Sequence, residues 1–451
     1  MEPAGRGLER DRFVDLVRGG SILAVVVGHW LVADVRWVAD PAGTGALRET
    51  SALAEVPGMW PLTWFFVVIP LFFFVGGYAN RRSWEGTLRR GEGYATFVDR
   101  RVHRVLAPSG LYLAVVLVGG IAVDQLGGLG IRAMGGLFLQ PLWFLGAYLA
   151  VVGLAPVTLW AHRRYGIGAL AVLLGAVALA DVGRFAAGVS AAGYLNVLLV
   201  WLLMHQLGYF YVDHVPGWRV CGAMLLGGLA AAGLLVALGP YTASMVGVTD
   251  GPVGNMHPPT LAMAALGVAQ IGGALLLRGP LLPVLQDRRV WVAVAVVNLN
   301  MVSIYLWHQT ALTLTARVLL PLGYPDPPVG SGAWWAARVL WLLLPGIVLA
   351  LLVAVVGRAE QVSSPRPIAA GRGTAAIAAA AVVAVGLGYL ALAGSSATEP
   401  LAAGQSLGPV TASPILGVVL LGASATAFAA LRARAPAGRT GQPRRSFSAG
   451  P

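Results

Sequence analysis

Residues 13–35 read FVDLVRGGSILAVVVGHWLVADV. Charge is confined to the ends: Asp15 and Arg18 stand at the entrance, Asp34 at the exit, and residues 19–33 carry none. Wound as a helix rising about 1.5 Å per residue, the segment is long enough to cross a hydrocarbon layer of about 30 Å. The rest of the chain has the same character. Of 451 residues, 57% are hydrophobic and only 11% charged, with mean hydropathy +0.75, whereas soluble domains are about 25% charged. A soluble enzyme, a disordered chain and a disulfide-stapled secreted domain are thereby excluded. The fold class is an all-α polytopic membrane protein.

Runs bounded by charge, Pro or Gly predict twelve spans. They lie near Phe13–Val35, Leu62–Tyr78, Val105–Val123, Leu139–Trp160, Ile167–Phe185, Gly193–Val212, Val220–Leu238, Thr260–Leu277, Val290–Arg317, Trp334–Val356, Thr374–Leu392 and Ala412–Leu431. The first has charges at its entrance and no small-residue cleavage site, so it is not a signal peptide. All 31 basic residues are arginine, and the net charge is +12. Threading the spans with the N-terminus inside puts every arginine on the cytoplasmic side except Arg36, Arg48, Arg132, Arg184, Arg317 and Arg338. This positive-inside bias places both termini in the cytoplasm. It also explains the basic charge without nucleic acid as a partner.

The organisation expected is a cytoplasmic tail over residues 1–12, a membrane core over 13–356 and a cytoplasmic linker over 357–373. Two additional spans follow over 374–431, and then a disordered basic tail over 432–451 whose arginines meet anionic lipid. Arginine-only usage hints at a high-GC bacterial genome. The expected location is therefore a multi-pass position in a bacterial inner membrane.

Polar groups inside a membrane are costly and so point to function. All 19 Asp and Glu fall in loops or at span ends, which disfavours an ion-coupled transporter, since these commonly keep a midplane carboxylate. The spans hold histidines and amides instead: His29, then Asn196, His205 and Gln206, then Asn298, Asn300 and His308. Eleven residues separate Arg18 from His29. That is about three turns plus 20°, so both share one helix face about 16 Å apart. A cation at the cytoplasmic mouth suits an anionic substrate, and a deep imidazole suits proton or acyl chemistry. Asp15, three residues before Arg18, can pair with it but stands too far from His29 to orient it.

The second loop, on the cytoplasmic side, carries seven arginines, most of them explained by topology alone. Arg101-Val-His-Arg104 at a helix entrance is more particular, setting two guanidiniums on one face as phosphate binding requires. Cys221 is the single cysteine, so it makes no intramolecular disulfide and matches no metal spacing. No metal is expected, because the deep histidines lack paired i,i+4 spacing.

The chain resembles acyltransferase family 3, the integral membrane acyltransferases. The matching residues are Asp15-Leu-Val-Arg18…His29, Phe72-Phe-Phe-Val-Gly-Gly-Tyr78, Arg100-Arg-Val-His-Arg104 with Pro108, Leu142-Trp-Phe-Leu145 and Ser303-Ile-Tyr-Leu-Trp-His308. They run in order from about residue 11 to 356. The resemblance implies a ten-span core that moves an acyl group, acetyl foremost, from cytoplasmic acyl-CoA to a hydroxyl of a glycan, lipid-linked sugar or natural product. It implies His29 as the catalytic base or a transient acyl carrier, and Arg18, fixed by Asp15, as the residue that positions the donor or stabilises developing charge. Arg101 and Arg104, and more weakly Arg81 and Arg82, would bind CoA phosphates. Tyr78, Tyr305, His308 and Asn298 would line the substrate pocket, with His308 alternatively orienting a neighbour. Many members carry Ser-Gly where this chain has Gly76-Gly77, so any role of that hydroxyl is absent. His257, within Asn255-Met-His-Pro-Pro, lies in an outside loop where it could shape an acceptor entrance.

A transporter or flippase for an anionic solute is the rival class, and it would show flux independent of acyl-CoA. A polyprenyl-linked glycosyltransferase is less suited, because no inside loop offers an Asp-x-Asp motif.

Overall fold

The computed structural model describes residues 11–39, 45–125, 135–247, 254–360, 373–393, 406–407, 410–411 and 414–433. Most of the N-terminal tail, most of the 357–373 linker and the basic tail from residue 434 lie outside the described residues.

Asp11 caps the first helix by accepting from the Phe13 and Val14 amides, which satisfies two donors otherwise left open. That helix, α1 (Arg12–Val32), leads into an antiparallel hairpin of β1 (Ala33–Val38) and β2 (Ala46–Ser51), followed by short α2 (Ala52–Glu55) and α3 (Pro61–Phe66). Next come α4 (Ile69–Arg89), α5 (Tyr94–Gln125), short α6 (Gly135–Leu139), α7 (Leu142–Tyr165), α8 (Ile167–Phe185) and short α9 (Ser190–Gly193). The second half comprises α10 (Asn196–Asp213), α11 (Trp218–Leu238), α12 (Leu261–Leu276), α13 (Arg278–Val284), α14 (Arg288–Leu299), α15 (Met301–Leu319) and α16 (Gly332–Glu360). Last are α17 (Gly373–Ala393) and α18 (Pro414–Ala433).

Among the described residues, eight helices are long and apolar enough to cross a membrane, or ten if each of two bent pairs is one span. The chain is thus an all-α polytopic membrane protein. α17 and α18 stand where the last two of the twelve expected spans fall, and α17 packs on α5 and α7 of the core as well as on α18.

Two local departures from the sequence reading position the site. The first span ends at Val32, not Val35, because Asp-Val-Arg-Trp-Val alternates polar and β-branched or aromatic residues, a strand period. The hairpin pairs Ala33 with Ser51 and Val35 with Glu49. The ninth span is broken: α14 and α15 meet at 75°. Asn298 and Asn300 turn their amides back onto the Val294 and Val296 carbonyls, at 2.8 and 2.9 Å. Such side-chain bonds compete with the helical ladder, and Asn300 sits at φ −104°, ψ 11°, off the helical well.

α1 is the central post, touching α3, α4, α14, α15 and α16. Beside it, α4 and α10 cross backbone to backbone. A Cβ on Gly77 would lie 1.9 Å from the His205 carbonyl oxygen, and one on Gly208 2.1 Å from that of Phe74. Only glycine allows this approach.

Candidate active site

Gly28 lets α1 lie against Phe66 of α3, since a Cβ there would sit 2.7 Å from the Phe66 Cβ. The next residue, His29, is thereby held against α15. Its Nδ1 is 2.9 Å from Nε2 of His308, and the two rings stack with centroids 5.1 Å apart. His308 is fully buried. Its Nδ1 is 2.5 Å from the Tyr305 carbonyl, and Trp30 Nε1 donates to the His308 carbonyl at 3.1 Å.

These contacts fix the tautomers. A carbonyl oxygen only accepts, so His308 Nδ1 carries the hydrogen and its Nε2 holds a lone pair. His29 Nδ1–H therefore donates to His308, leaving the Nε2 lone pair of His29 free to accept a proton or attack a carbonyl carbon. The assignment follows from the hydrogen-bond network and not from hydrogen positions.

His29 borders a cavity of about 330 Å³. The hairpin residues Glu49–Ser51, the Leu137–Trp143 stretch, the Met256–His257 loop, Tyr305 and Gln309 enclose it. The hairpin follows the C-terminal end of α1, the end opposite Asp11 and Arg18. Glu49 and His257 both border it and are exposed. Desolvation at the cavity wall pushes the Glu49 carboxyl up to about 7 and pulls the His257 imidazole down to about 4, because each charged form is less well solvated there than in open water. The His257 ring meets Trp143 edge-on at 4.8 Å.

The opposite end of the same helix line carries Arg18. It donates from Nη2 to Asp15 Oδ1 at 3.0 Å and from Nε to Asn298 Oδ1 at 2.5 Å. Asn298 in turn donates to the Asp15 carbonyl at 2.8 Å. The helix break at Asn300 thus supplies the amide that steers Arg18.

Arg101 is 9% exposed. It donates to Asn80 Oδ1 at 3.2 Å and lies 4.2 Å over the Phe97 ring; among the described residues no carboxylate pairs with it. Asn80 is bonded to His205 at 3.0 Å. Arg104 is exposed. Arg81 is differently placed, held by Asp213 at 2.5 Å, Glu85 at 3.2 Å and the Tyr209 carbonyl at 3.0 Å. Arg82 is half-buried near Tyr78.

Ile22, Phe72, Phe144, Tyr148, Met301 and Tyr305 form an apolar seam around a void of about 20 Å³ between the two ends. Tyr148 lies within electrostatic reach of Arg101, while Tyr305 also borders the His29 cavity.

Of the residues expected to line a pocket, Tyr305 and His308 join His29. Asn298 sits at Arg18 instead, and Tyr78 packs edge-on to Tyr211, also toward the arginine-rich end. Glu49, Gln140 and Gln309 were not legible as pocket residues: a loop acid and two isolated glutamines carry no periodic signal. Trp143 lies within the Leu142–Leu145 motif, but its place opposite His257 had no signature.

A family model described as "Acyltransferase domain" matches residues 11–359. No curated protein and no solved structure matches the chain. The matched region takes in α1 through nearly all of α16, and with it Arg18, Arg101, His29 and His308. The chain belongs to acyltransferase family 3 and is a multi-pass membrane acyltransferase.

Proposed function

We propose that the protein transfers an acyl group, acetyl foremost, from cytoplasmic acyl-CoA to a hydroxyl of an acceptor that enters from the opposite face of a bacterial cell membrane. The observation that supports this reading is the anchored His29–His308 pair, which leaves the Nε2 of His29 unprotonated on a residue that borders the cavity, while Arg18 stands nearer the other end of the same helix.

The donor's phosphates would meet Arg101, a buried guanidinium without a carboxylate partner among the described residues, and Arg104 at the mouth. Buried cations lacking an acidic partner are suited to phosphate oxygens. The thioester must then reach His29, about 16 Å from Arg18 along the helix, a distance suited to the pantetheine arm. A void of about 20 Å³ in the seam holds about one water, so Ile22, Phe72 and their neighbours must part to admit the arm. Arg81 and Arg82 would be outer contacts, with Arg81 mainly bracing α4 to α10.

His29 Nε2 takes the proton of the acceptor hydroxyl, and the oxygen attacks the thioester carbonyl. The C–S bond breaks, and the CoA thiolate leaves with the proton carried by the imidazolium. His308 positions the ring, and Arg18, held by Asp15 and Asn298, positions the donor.

The test is the full chain in lipid nanodiscs with radiolabelled acetyl-CoA, comparing wild type with His29→Ala and Arg18→Ala. CoA release that vanishes in His29→Ala, with melting unchanged, supports the proposal. Label retained covalently on denatured wild type would mark His29 as an acyl carrier instead of a base. Absence of acyl-CoA binding would overturn the reading and bring forward a transporter of anionic solutes.

A further inference from the structure

Among the described residues, the cavity at His29 is lined by an acidic side chain, the Glu49 carboxyl, and by no arginine. Among the described residues Glu49 has no hydrogen-bond or ion-pair partner. Its neighbour Arg48 is exposed and is not among the lining residues. Glu49 is also held in place. Across the hairpin it pairs with Val35, which is 4% exposed, and next to Val35 stands Asp34, buried and clamped by Arg338 at 3.2 Å and Arg36 at 2.7 Å.

The remaining polar lining is neutral. Gln309 borders the cavity, and its amide oxygen is buried with no partner, a vacancy that a hydroxyl donor would fill. Thr50, Ser51 and Gln140 supply further donors and acceptors, and Trp143 an aromatic wall. A volume of about 330 Å³ is at the small end of ligand pockets, which run from about 300 to 1,000 Å³.

Resting on the acyltransferase reading above, we propose that the acceptor is a neutral or cationic polyhydroxylated unit about one sugar ring in size, and that Glu49 is its charge-selecting residue. An anionic acceptor would bring a second negative charge beside Glu49, with no cation among the described lining residues to offset it. Such like-charge juxtaposition disfavours binding by about 10- to 100-fold. A cationic group would supply the partner Glu49 lacks.

Small hydroxyl compounds of differing charge probe this directly: choline, glycerol and glycerate, each with acetyl-CoA and the full chain in nanodiscs. The readout is the choline-to-glycerate ratio of kcat/KM, which does not depend on how much protein is folded. Wild type is expected to favour choline by at least about tenfold. Glu49→Gln should bring the ratio close to one, and Glu49→Lys should invert it. A wild-type preference for glycerate, or a ratio unchanged in Glu49→Gln, overturns this inference alone. Wild-type protein that releases no CoA with any of the three, or with water, overturns the acyltransferase reading and this inference with it.

Discussion

His29 and His308 lie 279 residues apart in the chain, yet Nδ1 of the first donates to Nε2 of the second at 2.9 Å. The direction of that bond is set by a third group, the Tyr305 carbonyl one helical turn before His308. A backbone acceptor thus determines, through two imidazoles, which nitrogen of His29 keeps a lone pair. An Asp–His couple would do the same with a buried charge. Two neutral rings avoid that desolvation penalty inside a membrane.

His308→Ala should lower kcat by about 10- to 100-fold with little change in the acceptor KM, the scale for removing a group that orients another. His308→Gln should recover part of the rate, because its amide oxygen can accept from His29 Nδ1. His29→Ala should cost more, about 10²- to 10⁴-fold. Steady-state acyl transfer measured on all three variants checks the order.

Arg101→Ala should raise the KM for acyl-CoA by about 10- to 100-fold, the loss of one charge-assisted contact of about 1.5–3 kcal/mol. Arg81→Ala should act on stability instead, because it takes from Asp213 and Glu85 the cation they share, leaving them only His162 and the exposed Arg163. Thermal melts beside donor titrations separate the two effects; an equal KM change in both variants would contradict the assignment.

Gly77→Ala should destabilise the fold by at least about 1–3 kcal/mol, the usual range for overpacking, because its Cβ would collide with the His205 carbonyl. Gly76→Ser should be tolerated. A Cβ there meets only His205 Cδ2, at 3.6 Å, so the serine of other family members fits this backbone. Melting temperatures in one detergent give the comparison.

Arg338→Ala should loosen the hairpin. Asp34 is 3% exposed and Arg338 6%, and breaking a buried pair costs about 3–5 kcal/mol, here lessened because Arg36 remains. Faster hydrogen exchange over residues 33–51, with α10 unchanged, is the expected signature.

The preference for choline over glycerol should depend on pH through Glu49. Its carboxyl is pushed up to about 7, so it is neutral below that value and charged above it. The preference should therefore rise between pH 6 and pH 8 and be lost as the pH falls. The other titratable groups lining the cavity are His29, His257 and Tyr305. His29 serves both acceptors and cancels in the ratio, while His257, pulled down to about 4, stays neutral throughout. A flat profile in Glu49→Gln completes the check.

The sequence by itself determined what depends on local composition and helical phase. Apolar length made the chain a membrane protein, and eleven residues at 100° put Arg18 and His29 on one line. The Asp15–Arg18 pair followed from i,i+3 spacing, and the structure forms it at 3.0 Å. Tertiary structure decided everything that joins distant segments. Asn298 went to Arg18 because a helix broken by its own asparagines folds back beside α1. Two amides in one apolar run could not announce a 75° bend, since their back-bonding competes with a ladder whose outcome depends on packing. Glu49 reached the cavity only because an alternating five-residue stretch after α1 forms a hairpin and Arg338, some 300 residues later, clamps it. A histidine's tautomer, an arginine's partner and a cavity's charge are properties of groups meeting across the bundle, and helical periodicity within one segment carries no information about which groups meet.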